Sequence, residues 1–362
     1  MLGCGLCVGQ KVDIRAARSG LHRPAVFFVK LERISCYPPL VARSTLCLVC
    51  ALGAMALANV ARAAEAERSA AEERDPILVR PFLQIQSAEA ALQADDDSEI
   101  ELVPNPTQNV GVKVGAWGLS AALSVGVGHV ESVAEYGKSD NFNFEISYPF
   151  PIGEDHELFV TAFLHYHQTL STISAGERQI IEGARLMTLG FDAAFMLEPK
   201  FSLDRVLGDF APRPSSAGSW FLRASAGLWL IGFANEPDRL LIPVERRFEL
   251  GDFGDLNHLN MAFLTFGGGY VYDWNIFHHF FLTALGNLGL DVSAVDLYFV
   301  ARERDIAPAI GPAVALQLGL SYVGSHFHTG LTANATADFA NARGVDIIGQ
   351  RINALLFLGV RF

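Results

Sequence analysis

The chain has 362 residues, of which 51% are hydrophobic and 18% are charged, and its formal net charge is −12 at pH 7. So low a charged fraction is unusual for a soluble protein, and the acidic balance argues against nucleic acid as a partner, because phosphate binding needs a basic face. Two classes stay open: a large soluble all-β core, and a closed β-barrel in a membrane, where every backbone polar group pairs within the sheet.

The first 64 residues have the organisation of a leader for export. Arg43 provides a positive flank, residues 45–60 form a short apolar core, and Ala61, Arg62 and Ala63 form an A-x-A-like cleavage site. The apolar core is shorter than the ~20 residues of a spanning helix. We therefore interpret residues 1–64 as an N-terminal extension with a cleavable signal peptide, and a membrane anchor is the alternative.

Cysteine placement and charge change at the same point. Residues 1–64 hold eight Lys/Arg and two Asp/Glu, which leaves a net charge near −18 on the rest of the chain. A mature chain without cysteine is compatible with an oxidising compartment. All five cysteines precede the predicted cleavage site: Cys4, Cys7, Cys36, Cys47 and Cys50.

Residues 65–97 are charged and alanine-rich, with a short strand-like piece at 77–86. We interpret this segment as a periplasmic leader that is partly disordered. The barrel itself is predicted over residues 98–362.

From residue 98 onward, apolar residues recur with a period of two. Leu316, Leu318 and Leu320 alternate with Gln317 and Gly319, for example. The opposite face is small and polar, as in the interior of a barrel, rather than charged as on a solvated sheet. The sequence therefore predicts an all-β fold, a transmembrane antiparallel up-and-down β-barrel with an even number of strands, 12 to 14. The predicted strands cover residues 98–104, 108–116, 119–128, 141–149, 157–167, 183–197, 199–210, 217–233, 239–249, 259–273, 276–290, 310–323, 326–338 and 347–362.

The predicted connections alternate between short and long, as periplasmic turns and extracellular loops do in such barrels. Aromatic residues gather near strand ends, which is typical of the girdles at the two lipid interfaces. The long connections are predicted at 129–140, 168–182, 250–258, 291–309 and 339–346.

Four short motifs resemble a family of bacterial envelope proteins catalogued as domain of unknown function 4421. They occur in the family's order and together span residues 98–362. The resemblance implies an outer-membrane β-barrel whose activity is not established. The motifs are "VPNPTQNVGVKVG" (103–115), "YGKSDNFNFEI" (136–146), "SSAGSWFL" (215–222) and "GGGYVYDW" (267–274).

Polar side chains on the face opposite the apolar one are predicted to line the lumen. Such a lumen could pass small polar solutes, or a structural network of side chains could fill it. We predict no cofactor and no metal, because histidines at strand ends are more often interfacial polar groups than ligands. The candidate lumen residues are Lys113, Glu145, His165, His167, Arg223 and Arg361.

Three functions remain open at this stage: a pore or transporter for small polar solutes, a structural envelope barrel, and an outer-membrane lipid-active hydrolase. The hydrolase is the least favoured, because no G-x-S-x-G motif is present and no catalytic residue stands out. The expected partners are outer-membrane lipids and the barrel-assembly machinery. Nucleic acid is not an expected partner.

The last strand generates a prediction about assembly. Leu356, Leu358, Val360 and Phe362 lie on one face of an alternating strand that must pair to abolish a sheet edge. We expect Phe362 to act as the assembly signal. Deleting it should lower the amount of heat-modifiable protein in the outer membrane, while protein refolded in detergent keeps its β-sheet circular dichroism. Equal yields from cells would contradict this role.

Overall fold

The computed structural model describes residues 15–16, 27–28, 77–94, 99–116, 118–153, 155–174, 177–199, 201, 203, 216–233, 236, 239–242, 244, 247–248, 254–277, 279–300, 305–324, 327–342 and 345–361. Two compact units divide the chain, Met1–Met55 and Ala56–Phe362. In the first unit, two-residue strands β1 (Arg15–Ala16) and β2 (Phe27–Phe28) pair antiparallel. The predicted signal peptide otherwise lies outside the described residues.

The second unit is a single antiparallel sheet with a short helix, α1 (Val133–Tyr136), between two of its strands. No described helix is both long and apolar enough to cross a membrane. The strands are β3 (Leu78–Ala94), β4 (Glu99–Pro104), β5 (Thr107–Ala116), β6 (Leu119–His129), β7 (Asp140–Ile152), β8 (His156–Ser174), β9 (Glu177–Met196), β10 (Ala217–Phe233), β11 (Leu256–Phe277), β12 (Phe280–Phe299), β13 (Asp305–Val323), β14 (Phe327–Ala342) and β15 (Val345–Arg361).

The sheet closes into a barrel because its first and last strands pair. On β3, Leu78 pairs with Arg361 of β15 on one side and with Gly115 of β5 on the other. From β5 to β15 each strand pairs with the next strand along the chain. The predicted all-β, antiparallel, up-and-down barrel is thus confirmed.

The number of strands around the ring changes along its height. β4 and β5 pair with the same edge of β3, one after the other along its length. Leu102 of β4 pairs with Ala90, and Thr107 of β5 pairs with Gln86. The 13 strands therefore occupy twelve positions, the lower limit of the predicted number. Beyond the β6–β7 hairpin, β4 pairs directly with β8 through Glu101 and Ile173, so ten positions remain there.

Side-chain polarity reverses partway along the strands. Early in β3, Leu83 and Ile85 are exposed outward, while Gln84 and Gln86 are buried inward. Later in β3, it is Leu92 that is buried inward. We call the segments with apolar outward side chains the belt, and those enclosing the apolar core the crown. The belt lies toward Leu78 and Arg361, and the crown lies toward the β14–β15 and β3–β4 connections.

The crown holds one continuous apolar core contributed by many strands. Trp229 is 2% exposed and lies against Gly349, where a Cβ would overlap the indole ring. Leu241 and Ile242, from the β10–β11 connection, are also buried in this core. Its members include Ala88, Ala90, Leu92, Ile100, Leu102, Leu170, Ala184, Leu186, Trp229, Ile231, Phe233, Leu256, Leu259, Met261, Val295, Leu297, Ala340 and Ile347.

Several predicted boundaries are wrong, and the reversal of polarity explains most of them. The predicted connections at 168–182 and 339–346 contain instead the ends of long strands, β8 to Ser174 and β14 to Ala342. The period-two pattern of apolar residues changes phase where the apolar face turns inward. The sequence pattern of the strand therefore stops there, although the strand itself continues. Much of the predicted connection at 291–309 is likewise strand, in β12 and β13.

Two other corrections concern whole segments. The barrel begins before residue 98, because β3 lies within the predicted leader and closes the ring. The predicted strand at 239–249 is a connection in its described residues, and its Leu241 and Ile242 enter the crown core instead of a sheet. The predicted strand at 199–210 lies mostly outside the described residues.

Asn105 stabilises the place where the ring changes from twelve positions to ten. It lies between β4 and β5 and is fully buried. Its backbone N–H donates to Ser139 Oγ at 2.8 Å, and its Nδ2 donates to the Gly137 carbonyl at 2.9 Å. Its Oδ1 accepts from the Glu131 N–H at 3.4 Å. These bonds hold the β6–β7 connection against the wall.

Replacing Asn105 should therefore weaken the barrel more than replacing an exposed asparagine. Asn105→Ala removes the side-chain partners of the buried Gly137 carbonyl and of the Glu131 N–H, and we expect the free energy of unfolding to fall by about 1–3 kcal/mol. Urea unfolding in detergent micelles measures this. Asn341→Ala, at an exposed asparagine bonded to Asp346, is the matched control. Equal effects of the two substitutions would contradict the role of Asn105.

Candidate functional site

The belt encloses a polar cavity of about 260 Å³. Inward positions on β3, β7, β8, β9, β10, β13, β14 and β15 contribute to it, because period-two alternation directs every second side chain of each strand inward. Phe159, Phe163 and Phe221 provide apolar surface. The polar lining consists of Gln84, Gln86, Glu145, Thr161, His165, Asp192, Arg223, Gln317, Asn334, Thr336, Arg351 and Asn353.

A chain of three residues crosses part of the lumen. Arg351 Nη1 donates to His165 Nδ1 at 3.0 Å, and His165 Nε2 lies 3.1 Å from Glu145 Oε1. Because the guanidinium can only donate, Nδ1 must accept, and the ring proton is on Nε2 and is donated to the carboxylate. Both ring nitrogens of His165 therefore have partners within the protein.

A second charged pair faces the same cavity. Arg223 donates to both carboxylate oxygens of Asp192, through Nε at 2.8 Å and Nη2 at 2.7 Å. Ser225 Oγ donates to Asp192 Oδ1 at 3.0 Å. This two-pronged geometry is the strong form of an arginine–carboxylate pair. It fixes both side chains against the wall and neutralises their charges.

Amide side chains form a third group on the β3–β7 side. Asn143 Nδ2 donates to Gln86 Oε1 at 2.6 Å and to Ser124 Oγ at 3.1 Å. Ser124 Oγ also donates to Gln84 Oε1 at 3.2 Å. The lining charges are thus paired with one another, and the remaining polar surface is neutral. The cavity matches a small, neutral or internally balanced polar group.

The crown core and a smaller apolar cluster border the cavity. The crown core closes the lumen toward one end, with Trp229 and Ile231 buried across it. At the other side, Met196, Phe201 and Leu203 pack with Phe221 in a second cluster. Within the part of the barrel that the structure describes, the cavity is therefore a chamber in the belt that does not continue as an open channel through the crown.

The structure places the predicted lumen residues as follows. Glu145, His165 and Arg223 line the cavity. Lys113 lies on the inward face of β5 and interacts electrostatically with Glu145. His167 is 1% exposed and its strand neighbours are Asn141 and Leu186, at the border of the crown core.

The structure describes little of the two predicted C-terminal residues, Arg361 and Phe362. The backbone of Arg361 pairs with Leu78, and its side chain lies outside the described residues. Phe362 also lies outside them. The outward faces of Ile352, Leu356 and Leu358 in the same strand are exposed, 59%, 53% and 46% respectively.

Sequence reasoning missed Asp192 and Arg351, which are the partners of the residues it found. Both occupy inward positions in strongly apolar strands, and that parity is the signal that could have identified them. Among the described residues, no three His, Cys, Asp or Glu side chains come together as metal ligands.

Sequence comparison supplies the family of this chain. A family described as Domain of unknown function (DUF4421) matches residues 71–362. The chain belongs to the DUF4421 family. The resemblance seen in the four motifs is confirmed, and the DUF4421 match begins before β3, in agreement with the barrel boundary. A search of the curated proteins finds no sequence match.

Solved structures similar to this DUF4421 chain are outer-membrane β-barrels. The outer membrane protease OmpT from Escherichia coli is 10% identical, with 81% of this chain and 100% of that chain covered and a TM-score of 0.39. The translocator domain of the autotransporter NalP from Neisseria meningitidis is 14% identical, with 87% and 98% covered and a TM-score of 0.40. The toluene transporter TodX from Pseudomonas putida is 8% identical, with 80% and 90% covered and a TM-score of 0.31.

The Asp192–Arg223 pair generates a prediction about stability. Asp192→Asn leaves the Arg223 charge without its carboxylate inside the lumen, and we expect the free energy of unfolding to fall by about 3 kcal/mol. The double substitution Asp192→Leu with Arg223→Met removes both charges and should recover most of that loss. Urea unfolding in micelles measures both variants.

Glu236→Gln is the matched control for a surface pair. Glu236 accepts from Arg239 at 3.1 Å, and both side chains are more than a third exposed. Its loss should cost below about 1 kcal/mol. If Asp192→Asn costs no more than this control, the lumenal pair does not hold the wall together.

Proposed function

We propose that this DUF4421 protein is an outer-membrane β-barrel that takes up a small polar group in its belt cavity and is closed to free axial flow. The observation that carries the proposal is the combination of a polar chamber in the belt with an apolar core that fills the crown. An open pore needs a continuous aqueous lumen, and an inert structural barrel needs no chamber.

The outward face of the belt supports insertion in a membrane. Leu316 and Leu318 of β13 are 57% and 61% exposed, and Leu331 of β14 is 52% exposed. On β15 the apolar outward residues run from Ile352 to Val360. This run spans roughly 21 Å at the usual strand rise and tilt, against roughly 25 Å for the apolar band of outer-membrane barrels. In water, such a surface would be an aggregation liability.

Aromatic side chains mark the edge of the belt near the start of β10 and the end of β11. Trp220 and Tyr270 have ring centroids 4.9 Å apart, and Tyr272 and Trp274 have centroids 4.5 Å apart. Trp220 is 60% exposed and Trp274 is 42% exposed. Exposed rings at one level support an interfacial girdle there. We assign this edge to the periplasmic side, because β3 begins and β15 ends there.

The lipid-active hydrolase has less support. Hydrolysis by a serine or threonine needs an imidazole nitrogen free to take the hydroxyl proton. Both nitrogens of His165 bond to Glu145 and Arg351 instead. In our proposal the partners are outer-membrane lipids and the barrel-assembly machinery, which would engage the C-terminal strand.

The first experiment records current across planar lipid bilayers. Purified protein that shows heat-modifiable mobility should insert without persistent stepwise conductance, because the crown core blocks the axis. Combined Trp229→Ala, Leu241→Ala and Ile242→Ala should introduce conductance steps by hollowing that core. Leu228→Ala, at an outward position of the same strand, is the control and should remain silent. Persistent steps from the unmodified protein would mean an open pore.

A second measurement separates ligand uptake from a purely structural role. Hexoses, polyols and amino acids are tested one by one for an increase in the thermal unfolding midpoint, since a ligand of the folded state stabilises it in proportion to its occupancy. We expect at least one neutral polar compound to raise the midpoint, and the increase should disappear in Arg351→Met. Absence of any increase across the panel would favour the structural barrel.

A further inference from the structure

The ladder between β13 and β14 stops before either strand ends. Its last pair on the crown side is Ala313 with Asp338. β13 continues to Asp305 and pairs there only with β12, while β14 continues to Ala342 and pairs there only with β15. We call β13 residues 305–312 together with β14 residues 339–342 the seam. The described wall is joined by strand pairing on both sides of the seam and not across it.

The two strands overlap at the seam instead of pairing. Gly311 is on the inward face of β13, between the buried Ala309 and Ala313. A Cβ at position 311 would coincide with the carbonyl of Phe339. Therefore β14 passes onto the lumen side of β13 at this point, and only glycine permits so close an approach. Contact of backbones, without ladder hydrogen bonds, closes the wall here.

The end of the seam next to the belt lies in apolar surroundings, where unpaired backbone groups are costly. On the outward face of β13, Ile310 is 63% exposed and pairs with Val292 of β12, which is 43% exposed, as on the belt below them. Backbone polar groups facing hydrocarbon without partners cost several kcal/mol each. Pro308 and Pro312 lack an N–H and remove two donors from this stretch, as prolines do on edge strands. The β13 side of the seam thus has the sequence of a protected edge inside an otherwise closed barrel.

A polar pocket lies directly inside the last paired residues. It has a volume of about 50 Å³ and is lined by Ala313, Val314, Thr336 and Asp338 beside the seam. Arg223 and Arg351 line both this pocket and the main cavity, so the two spaces adjoin. The seam therefore begins directly beyond residues that line this pocket, whereas the axis beyond the pocket is filled by the crown core.

We propose that the seam is a lateral gate between the chamber and the membrane, and that its substrate is an amphipathic molecule with one compact polar head and a hydrocarbon tail. The head fits the polar pocket beside Arg223, Arg351 and Asp338, and the tail lies between the strands against Ile310. This inference rests on the proposed function, because it names the route and substrate class of the same chamber.

Cysteine labelling tests the gate, because no cysteine follows Cys50 in the sequence. In full chains with all five natural cysteines changed to serine, Ala340→Cys places a thiol inside the seam. Ala184→Cys places one in the same crown core, on β9 and away from the seam. The probes are N-dodecylmaleimide, dissolved in the bilayer of lipid vesicles, and a membrane-impermeant sulfonated maleimide in the water.

We expect the dodecyl probe to label Ala340→Cys roughly tenfold faster than Ala184→Cys, since local opening determines access to a buried thiol. The sulfonated probe should label both slowly. Equal rates with the dodecyl probe would overturn the gate. Faster labelling of Ala340→Cys by the sulfonated probe would also overturn it, by showing an aqueous route.

Gly311→Ala supplies the matched perturbation. The added methyl group should push β13 and β14 apart at the seam. Dodecyl labelling should therefore increase at Ala340→Cys but not at Ala184→Cys. Gly319→Ala, an inward position of the same strand where a Cβ meets Thr332 Cγ2 at 3.4 Å, should change neither rate. An equal increase at both thiols would mean general loosening and would overturn a local gate. The two experiments on the proposed function, the bilayer conductance and the ligand-induced shift of the unfolding midpoint, do not use the seam. A negative labelling result therefore leaves the proposed function separately testable.

Discussion

The structure depends on one constraint: each strand must present its apolar side chains to whichever side of the wall is dry. In the belt that side is the outside, as Leu83 and Ile85 show, and in the crown it is the inside, as Leu92 shows. The inward face therefore changes from polar to apolar along the strands. Because this change recurs on neighbouring strands, it divides the barrel into a part with a polar lumen and a part with an apolar core.

The chemistry of the lumen follows from this division. Apolar side chains in the belt point outward, so the inward positions are left to polar and charged residues. Charges in a confined space must pair to offset the loss of water. Asp192 binds Arg223, and Glu145 binds His165, whose other ring nitrogen accepts a hydrogen bond from Arg351. In the crown, the inward positions carry aliphatic residues and Trp229, which close the axis. A chamber closed on one side is therefore a direct consequence of where the pattern reverses.

Sequence periodicity could predict the belt but not the crown. Leu316, Leu318 and Leu320 alternate without interruption, and the structure places all three outward. The crown ends of the strands were predicted as loops because the phase change breaks the period. β3 was assigned to the leader because its alternation is short and is followed by alanine-rich sequence. For the site, alternation gives the direction of a side chain and not its partner: Arg351 lies 186 residues from His165, and only the barrel's closure brings them together.

The change from twelve strand positions to ten explains why the belt retains a cavity while the crown is packed with side chains. Barrel diameter grows with strand number, and small barrels are just wide enough for side chains to fill. The β6–β7 hairpin widens the ring only in the belt, because β4 pairs directly with β8 beyond it. The narrower crown can be packed by side chains alone, whereas the wider belt retains about 260 Å³ of space. The chamber thus arises from the length of one hairpin, and the residues that terminate that hairpin, with Asn105 among them, determine how far the wide part extends.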